Sequence, residues 1–229
     1  MKKFELTANV KMWFGKKLFQ IRALISFGNV SAGDLGGYVE HESNLDQNGN
    51  AWVYGDALVY GNALVYGNAR VYGNAQVYGN ALVSGNALVS GNAQVYGNAQ
   101  VYGNALVYGD AQVYGNALVY GNARVYGNAL VYGNARVYGN ARVSGNADYL
   151  VVGPIGSRNA FTTFYRRSDG MTMVVCGCFH GTIDDFEKAV TETHENNHHA
   201  IAYRAAIQMV RARLNTEPVE ENAVDIPRF

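Results

Sequence analysis

Ala51-Trp52-Val53-Tyr54-Gly55-Asp56-Ala57-Leu58-Val59-Tyr60-Gly61-Asn62-Ala63-Leu64-Val65-Tyr66-Gly67-Asn68 is one six-residue phrase written three times. The phrase, Gly-Asn-Ala-x-Val-Tyr, runs from Gly49 to Gly145 without a slip, so (145 − 49)/6 = 16 hexads follow one another. Asp stands for Asn at Asp56 and Asp110, and Ser stands for Tyr at Ser84, Ser90 and Ser144. A period of six fits neither a helix face, which repeats every 3.6 residues, nor plain strand alternation, which repeats every two. It is the period of a parallel β-solenoid, in which each hexad supplies one short strand and one corner.

Within Ala57-Leu58-Val59-Tyr60, alternation sends Ala and Val to one side and the variable residue and Tyr to the other. Small Ala and β-branched Val suit the inside of a narrow tube. Gly-Asn suits the corner, since both residues tolerate positive φ. The outward tyrosines read as stacked ladders and the asparagines as corner hydrogen-bond ladders.

An aliphatic residue followed four positions later by a small one, as in Val53/Ala57 and Val59/Ala63, resembles the hexapeptide pattern of left-handed β-helix proteins. That resemblance covers residues 49–147 and implies a left-handed parallel β-helix with three hexads per coil. Residues eighteen apart then stack on three faces. The same superfamily holds many acyltransferases and the γ-class carbonic anhydrases. Stretches such as Leu35-Gly36-Gly37-Tyr38 and Asn50-Ala51-Trp52-Val53-Tyr54 are similar to the lead-in of repeat proteins found in phages, prophages and bacteria, often labelled transferases.

The faces differ. One stacks Trp52, Arg70, Leu88, Leu106, Arg124 and Arg142 beside its tyrosines, and Tyr108, Arg124 and Tyr126 are its best candidates for holding an aromatic or anionic ligand. A second carries Leu58, Gln76, Gln94, Gln112 and Leu130 beside an unbroken tyrosine column. The third carries Leu64, Leu82 and Leu118 with Gln100 and Arg136. So many outward leucines call for cover. Left-handed β-helix relatives commonly assemble as trimers, so a homotrimer of parallel solenoids packed through the third face is expected.

The ends depart from the repeat. Open solenoid ends expose strand edges, so caps are expected. Residues 1–48 read as an N-terminal cap with an irregular first coil, its hairpin (2–9 and 17–27) turning at Phe14-Gly15-Lys16. Residues 148–214 read as a β-β-β-α-α module with strands at 149–153, 161–167 and 171–179, the helices being separated by Asn196-Asn197. Ser168-Asp169-Gly170 reads as a turn, Thr182 as a helix cap, and residues 215–229 as a polar tail.

Chemistry-bearing residues concentrate in that module. Gly153-Pro154-Ile155-Gly156-Ser157-Arg158 and Cys176-Gly177-Cys178-Phe179 resemble a module that recurs behind such repeats, with no activity attached. Three readings stand side by side. Cys176 and Cys178, expected on the same face of a strand, can supply zinc ligands together with His194 and His198. Cys178 and His194 can form a nucleophile and base. Otherwise these residues are structural. The Gly-rich loop with Arg158 can hold an anion. None of the five histidines (41, 180, 194, 198 and 199) lies in the repeat. The acyl-transfer and carbonic-anhydrase chemistries of the superfamily therefore lack their residues within the repeat. A binding or scaffold protein without a resident cofactor is expected, with an acyltransferase using a cleft between subunits, or a Cys/His-based or metal-dependent activity in the module, as the alternative. Its partner would be a protein or a small aromatic or anionic ligand. Eighteen basic residues balance eighteen acidic ones, which gives no global field for nucleic acid. Two cysteines form no disulfide framework, and no apolar run suggests a leader or membrane span, so the cytoplasm is the expected compartment.

Overall fold

The structure, a computed structural model, describes residues 2–167 and 169–214. Sixteen two-residue strands, β4 (Trp52–Val53) to β19 (Arg142–Val143), form the repeat, one for each x-Val pair. From β4 to β16, each pairs in parallel with the strand eighteen residues on, as Leu88 does with Leu106 and Gln94 with Gln112. Three hexads therefore make one coil, and the strands sort into three parallel sheets. The fold is mainly β, built on a parallel solenoid, as the period implies, of three-hexad coils, as the resemblance to hexapeptide proteins implies.

Every repeat Val is fully buried and every repeat Ala from Ala51 to Ala141 is at most 1% exposed, which fills the tube with the smallest side chains that still exclude water. Gly, not Asn, takes the strained corner: Gly55 to Gly139 all have φ between 58° and 72°, while no repeat Asn has positive φ. The Asn contribution is different. Its Nδ2 donates to the Oδ1 of the Asn one coil on, as from Asn62 to Asn80 (3.1 Å) and Asn80 to Asn98 (3.0 Å). Corner geometry and corner cohesion are thus divided between two residues.

The tyrosines stack as expected. Tyr60, Tyr78 and Tyr96 lie 4.9 and 4.8 Å apart, with planes within 2°. This stacking covers much of the outward apolar surface from within the chain. Of the repeat's large apolar side chains, Tyr132 is the one that stays mostly exposed among the described residues. The uncovered leucines that called for a trimer are half-covered already.

At the N-terminal end, β1 (Phe4–Trp13) and β2 (Lys16–Ala23) form a hairpin, longer in β1 than the sequence suggested. Phe14 (φ 44°) and Gly15 (φ 77°) make its two-residue turn. β3 (Leu35–Val39) links the hairpin to the second face: it pairs antiparallel with β2 and parallel with β5 (Leu58–Val59). Here the offset is twenty, not eighteen, at both Val39↔Val59 and Leu45↔Val65, so the first coil is irregular. Lys3 fills the bottom of the tube. Its buried ammonium donates to the carbonyls of Asn48 (3.3 Å) and Ala51 (3.0 Å) and lies 5.0 Å from the Phe27 ring centre. Burial lowers its pKa to about 8, against the opposing pull of Asp46. The hairpin also lies against the outer face, where Leu18 packs with Leu58 and Tyr60.

After the repeat come four strands rather than three: β20 (Tyr149–Ile155), β21 (Ala160–Arg166), β22 (Thr172–Cys176) and β23 (Phe179–Thr182). The expected strand over 171–179 is broken because Gly177 has φ 59°, so Gly177-Cys178 becomes a tight turn that pairs Cys176 with Phe179. The module is β-β-β-β-α-α. One face of this antiparallel sheet offers Tyr149, Tyr165, Met173 and Val175 to the solenoid core, and Tyr149 donates to the carbonyl of Leu130. The other face buries Phe164 and Val174 against α1 (Ile183–His194) and α2 (His198–Leu214). Thr182 caps α1, accepting from the Asp185 backbone at 3.2 Å. The Asp169-Gly170 part of the expected turn is present, while Ser168 and the expected tail at 215–229 lie outside the described residues. No helix among the described residues is long and apolar enough to cross a membrane.

Candidate functional site

Strand order and the Gly177 turn bring the chemistry-bearing residues of the module to one place. A pocket of about 470 Å³ opens where the β20–β21 loop, the β22–β23 turn and the two helices meet. The loop gives Ser157 and Arg158, the turn gives Cys176 and Cys178, α1 gives Thr193 and His194, and α2 gives Tyr203. Phe179, Phe186 and Val190 supply apolar wall.

Local sequence explains the shape. Gly156 has φ 75°, and a side chain there would run into the Tyr203 ring, so the loop passes close over that phenol. Tyr203 is buried, and its hydroxyl lies 3.6 Å from the Cys176 sulfur. Burial first, then the contact with Cys176, pushes the Tyr203 phenol up to about 12, with Arg158 pulling the other way. At neutral pH it is a hydrogen-bonding group and not a base.

The two cysteines part company. Cys176 remains on the strand, where Thr162 donates to its sulfur at 3.2 Å. Cys178 sits in the turn, exposed. They do not share a strand face, which corrects the geometry behind the zinc reading. His198 lies outside the pocket lining, against His199 with ring centres 3.8 Å apart. Among the described residues no three His, Cys, Asp or Glu side chains, Cys176, Cys178, His194 and His198 included, converge as a ligand set. Cys178 and His194, the candidate nucleophile and base, do line the same pocket. His194 also stands 5.8 Å from Tyr203, ring to ring.

Arg158 makes no ion pair among the described residues, and its guanidinium borders Gly177 at the mouth. On the solenoid, Tyr108 and Tyr126 stack at 5.1 Å, and Arg124 beside them is exposed. These three lie side by side on one outer face of the solenoid.

Sequence reasoning missed Tyr203 and Thr162, whose partners are set by helix and strand packing. It also missed His180, whose ring extends the Tyr120–Tyr138 column at 4.4 Å from Tyr138. The signal for Tyr203 was Gly156 alone.

Residues 51–97 and 99–147 match, in eight segments from 51–67 to 135–147, the family model described as the YdcK beta solenoid repeat. The match is to the repeat and leaves both end structures outside it. No curated protein matches the chain.

Proposed function

We propose that the protein works by binding: a stiff solenoid closed at both ends carries a C-terminal pocket for a small anion with an apolar body. One observation carries the reading. Arg158, whose guanidinium has no ion pair among the described residues, lines a single pocket of ligand size together with Phe179, Phe186 and Val190. The coils themselves are ill suited to turnover. Their charged side chains are Arg70, Arg124, Arg136, Arg142, Asp56 and Asp110, and arginine is a poor general base. Burial moves the phenols of Tyr78 and Tyr138 up to about 12, further from any neutral-pH role. The Tyr108/Arg124/Tyr126 patch gives a second, open surface for a partner.

A second reading has its own support. Cys178 and His194 line the pocket that holds Arg158, which is the set a thiol nucleophile, its base and an anion anchor require.

Alkylation of Cys178 tests the anion reading. Iodoacetate and iodoacetamide both consume the thiolate, so the ratio of their rates reports local charge and not thiol acidity. In a Cys176→Ser background the anionic reagent gains on the neutral one, and Arg158→Ala removes that gain. A ratio equal to that of a free thiol in both proteins refutes the anion site. Turnover of an activated ester that is lost on both Cys178→Ala and His194→Ala favours the second reading.

A further inference from the structure

The tyrosine columns end differently at the C-terminal end of the solenoid. On the third face the last ring, Tyr138, is followed by His180 at 4.4 Å. On the face of β5, five tyrosines from Tyr60 to Tyr132 stack at 4.8 to 5.3 Å, and no further ring follows Tyr132 among the described residues. Tyr114 covers one face of the Tyr132 ring, yet Tyr132 stays 50% exposed. The asparagine ladder of the same corner also stops there. Asn62, Asn80, Asn98 and Asn116 each donate to the asparagine one coil on, the last reaching Asn134 at 3.2 Å. The Asn134 amide nitrogen meets no such acceptor among the described residues.

A further coil would set a tyrosine at 150 and an asparagine at 152. The chain has Leu150 and Val152 there, and both lie on β20, which pairs antiparallel with β21 instead of extending the coil. The junction holds a pocket of about 480 Å³. Leu130, Tyr132 and Asn134 line it from the solenoid, and Leu150, Phe161 and Arg213 from the module. Tyr149, also in the lining, is anchored by its hydroxyl to the Leu130 carbonyl. Burial, Tyr132 and Tyr114 push the Tyr149 phenol up, while the Arg213 charge pulls it down, so that charge is felt inside the junction. An exposed ring face, apolar walls, an amide donor and a guanidinium thus share one cavity.

We infer that this junction is a binding site for a small planar aromatic carboxylate. The aromatic ring stacks on the open face of Tyr132, between the column and the Phe161 and Leu150 walls. The carboxylate accepts from Arg213 and the Asn134 amide, the two donors of the lining. The site goes beyond the pocket at Arg158, with which it shares none of these residues.

Titration of the full chain with 2-naphthoate, followed by backbone amide NMR, is the test. Millimolar binding is expected, as suits so small a ligand, with shifts centred on Gly133, Asn134, Leu150 and Phe161. The neutral 2-naphthalenemethanol binds about fivefold more weakly for want of the charge-assisted contact. The saturated decalin-2-carboxylate is weaker too, because it cannot stack. Arg213→Gln lowers the affinity for naphthoate about fivefold and leaves the alcohol unchanged. Tyr132→Ala weakens both aromatic compounds. Arg213 and Tyr132 are exposed, so neither variant threatens the fold. Absence of binding, equal affinity for naphthoate and its alcohol, or no effect of either variant overturns the inference. Shifts centred on Cys178 and His194, abolished by Arg158→Ala, also overturn it and leave the binding reading of the C-terminal pocket standing. Failure of the Cys178 alkylation ratio, in turn, leaves this site untouched.

Discussion

Gly121 and Gly139 occupy the same corner one coil apart, with φ of 70° and 66°, yet they face different surroundings. A Cβ at Gly121 would stand 2.9 Å from the backbone nitrogen of Gly139, whereas one at Gly139 would meet nothing within 4 Å. Alanine at either site bears the left-handed backbone cost of roughly 1–2 kcal/mol. Alanine at 121 must also push one coil off the next, an overpacking cost of roughly 1–3 kcal/mol. Gly121→Ala is therefore expected to lose roughly 2–5 kcal/mol and Gly139→Ala about 1–2 kcal/mol. Denaturant midpoints by far-ultraviolet circular dichroism measure both. Because solenoids can unfold in parts, amide exchange along the coils checks that the same transition is compared. Gly85→Ala, deeper in the stack and 2.9 Å from the Gly103 nitrogen, should follow Gly121→Ala. Equal losses at 121 and 139 would mean that backbone conformation alone sets the cost and that the close stacking of corners contributes nothing.

Val95→Asp places an unpaired carboxylate inside the tube and should cost several kcal/mol, read as loss of the cooperative transition. Stability should respond to pH in two opposed ways. Lys3, lowered to about 8 in the fold, binds fewer protons than the unfolded chain between about pH 8 and 10.5, so stability rises across that window, and Lys3→Met removes the rise. The phenols of Tyr78 and Tyr138, raised from 10.0 to about 12, stabilise fully below pH 10, and that contribution is lost as pH climbs towards 12. Absorbance of tyrosinate should accordingly lag behind that of the denatured chain, and coincident curves would remove the basis for the effect. Deleting the C-terminal module bares the face that now packs on Tyr149 and Tyr165, so the shortened chain should aggregate in light scattering.

The solenoid was legible because the same information is written sixteen times and a misread hexad is corrected by its neighbours, whereas three hexads per coil, and with them the eighteen-residue register, came from the resemblance to hexapeptide proteins. The end structures carry no such redundancy. Nothing before Gly177 distinguishes one nine-residue strand from two paired ones, and only the positive φ of that glycine turns Cys178 away from Cys176. The corner residues show a subtler gap. Gly and Asn both tolerate left-handed backbone, so composition alone does not divide their roles, and the asparagine amides reveal theirs only once coils are stacked. For the site, Arg158, Cys178 and His194 were named from residue type and spacing, but their meeting place depends on how the sheet docks on two helices. Tyr203 enters through that docking alone.

The unbroken offset of eighteen makes the solenoid a ruler with coarse and fine graduations. Adding eighteen residues anywhere between Gly55 and Gly139 would lift the C-terminal module by one strand spacing, roughly 4.8 Å, and leave it facing the same way. Adding six would turn it by a third of a revolution and transfer every column above the insertion to a different face. Length can therefore drift by whole coils without disturbing how the two ends are oriented, whereas a single extra hexad would set Tyr102 above Leu-bearing neighbours from another column. Duplication in this repeat is tolerated by threes.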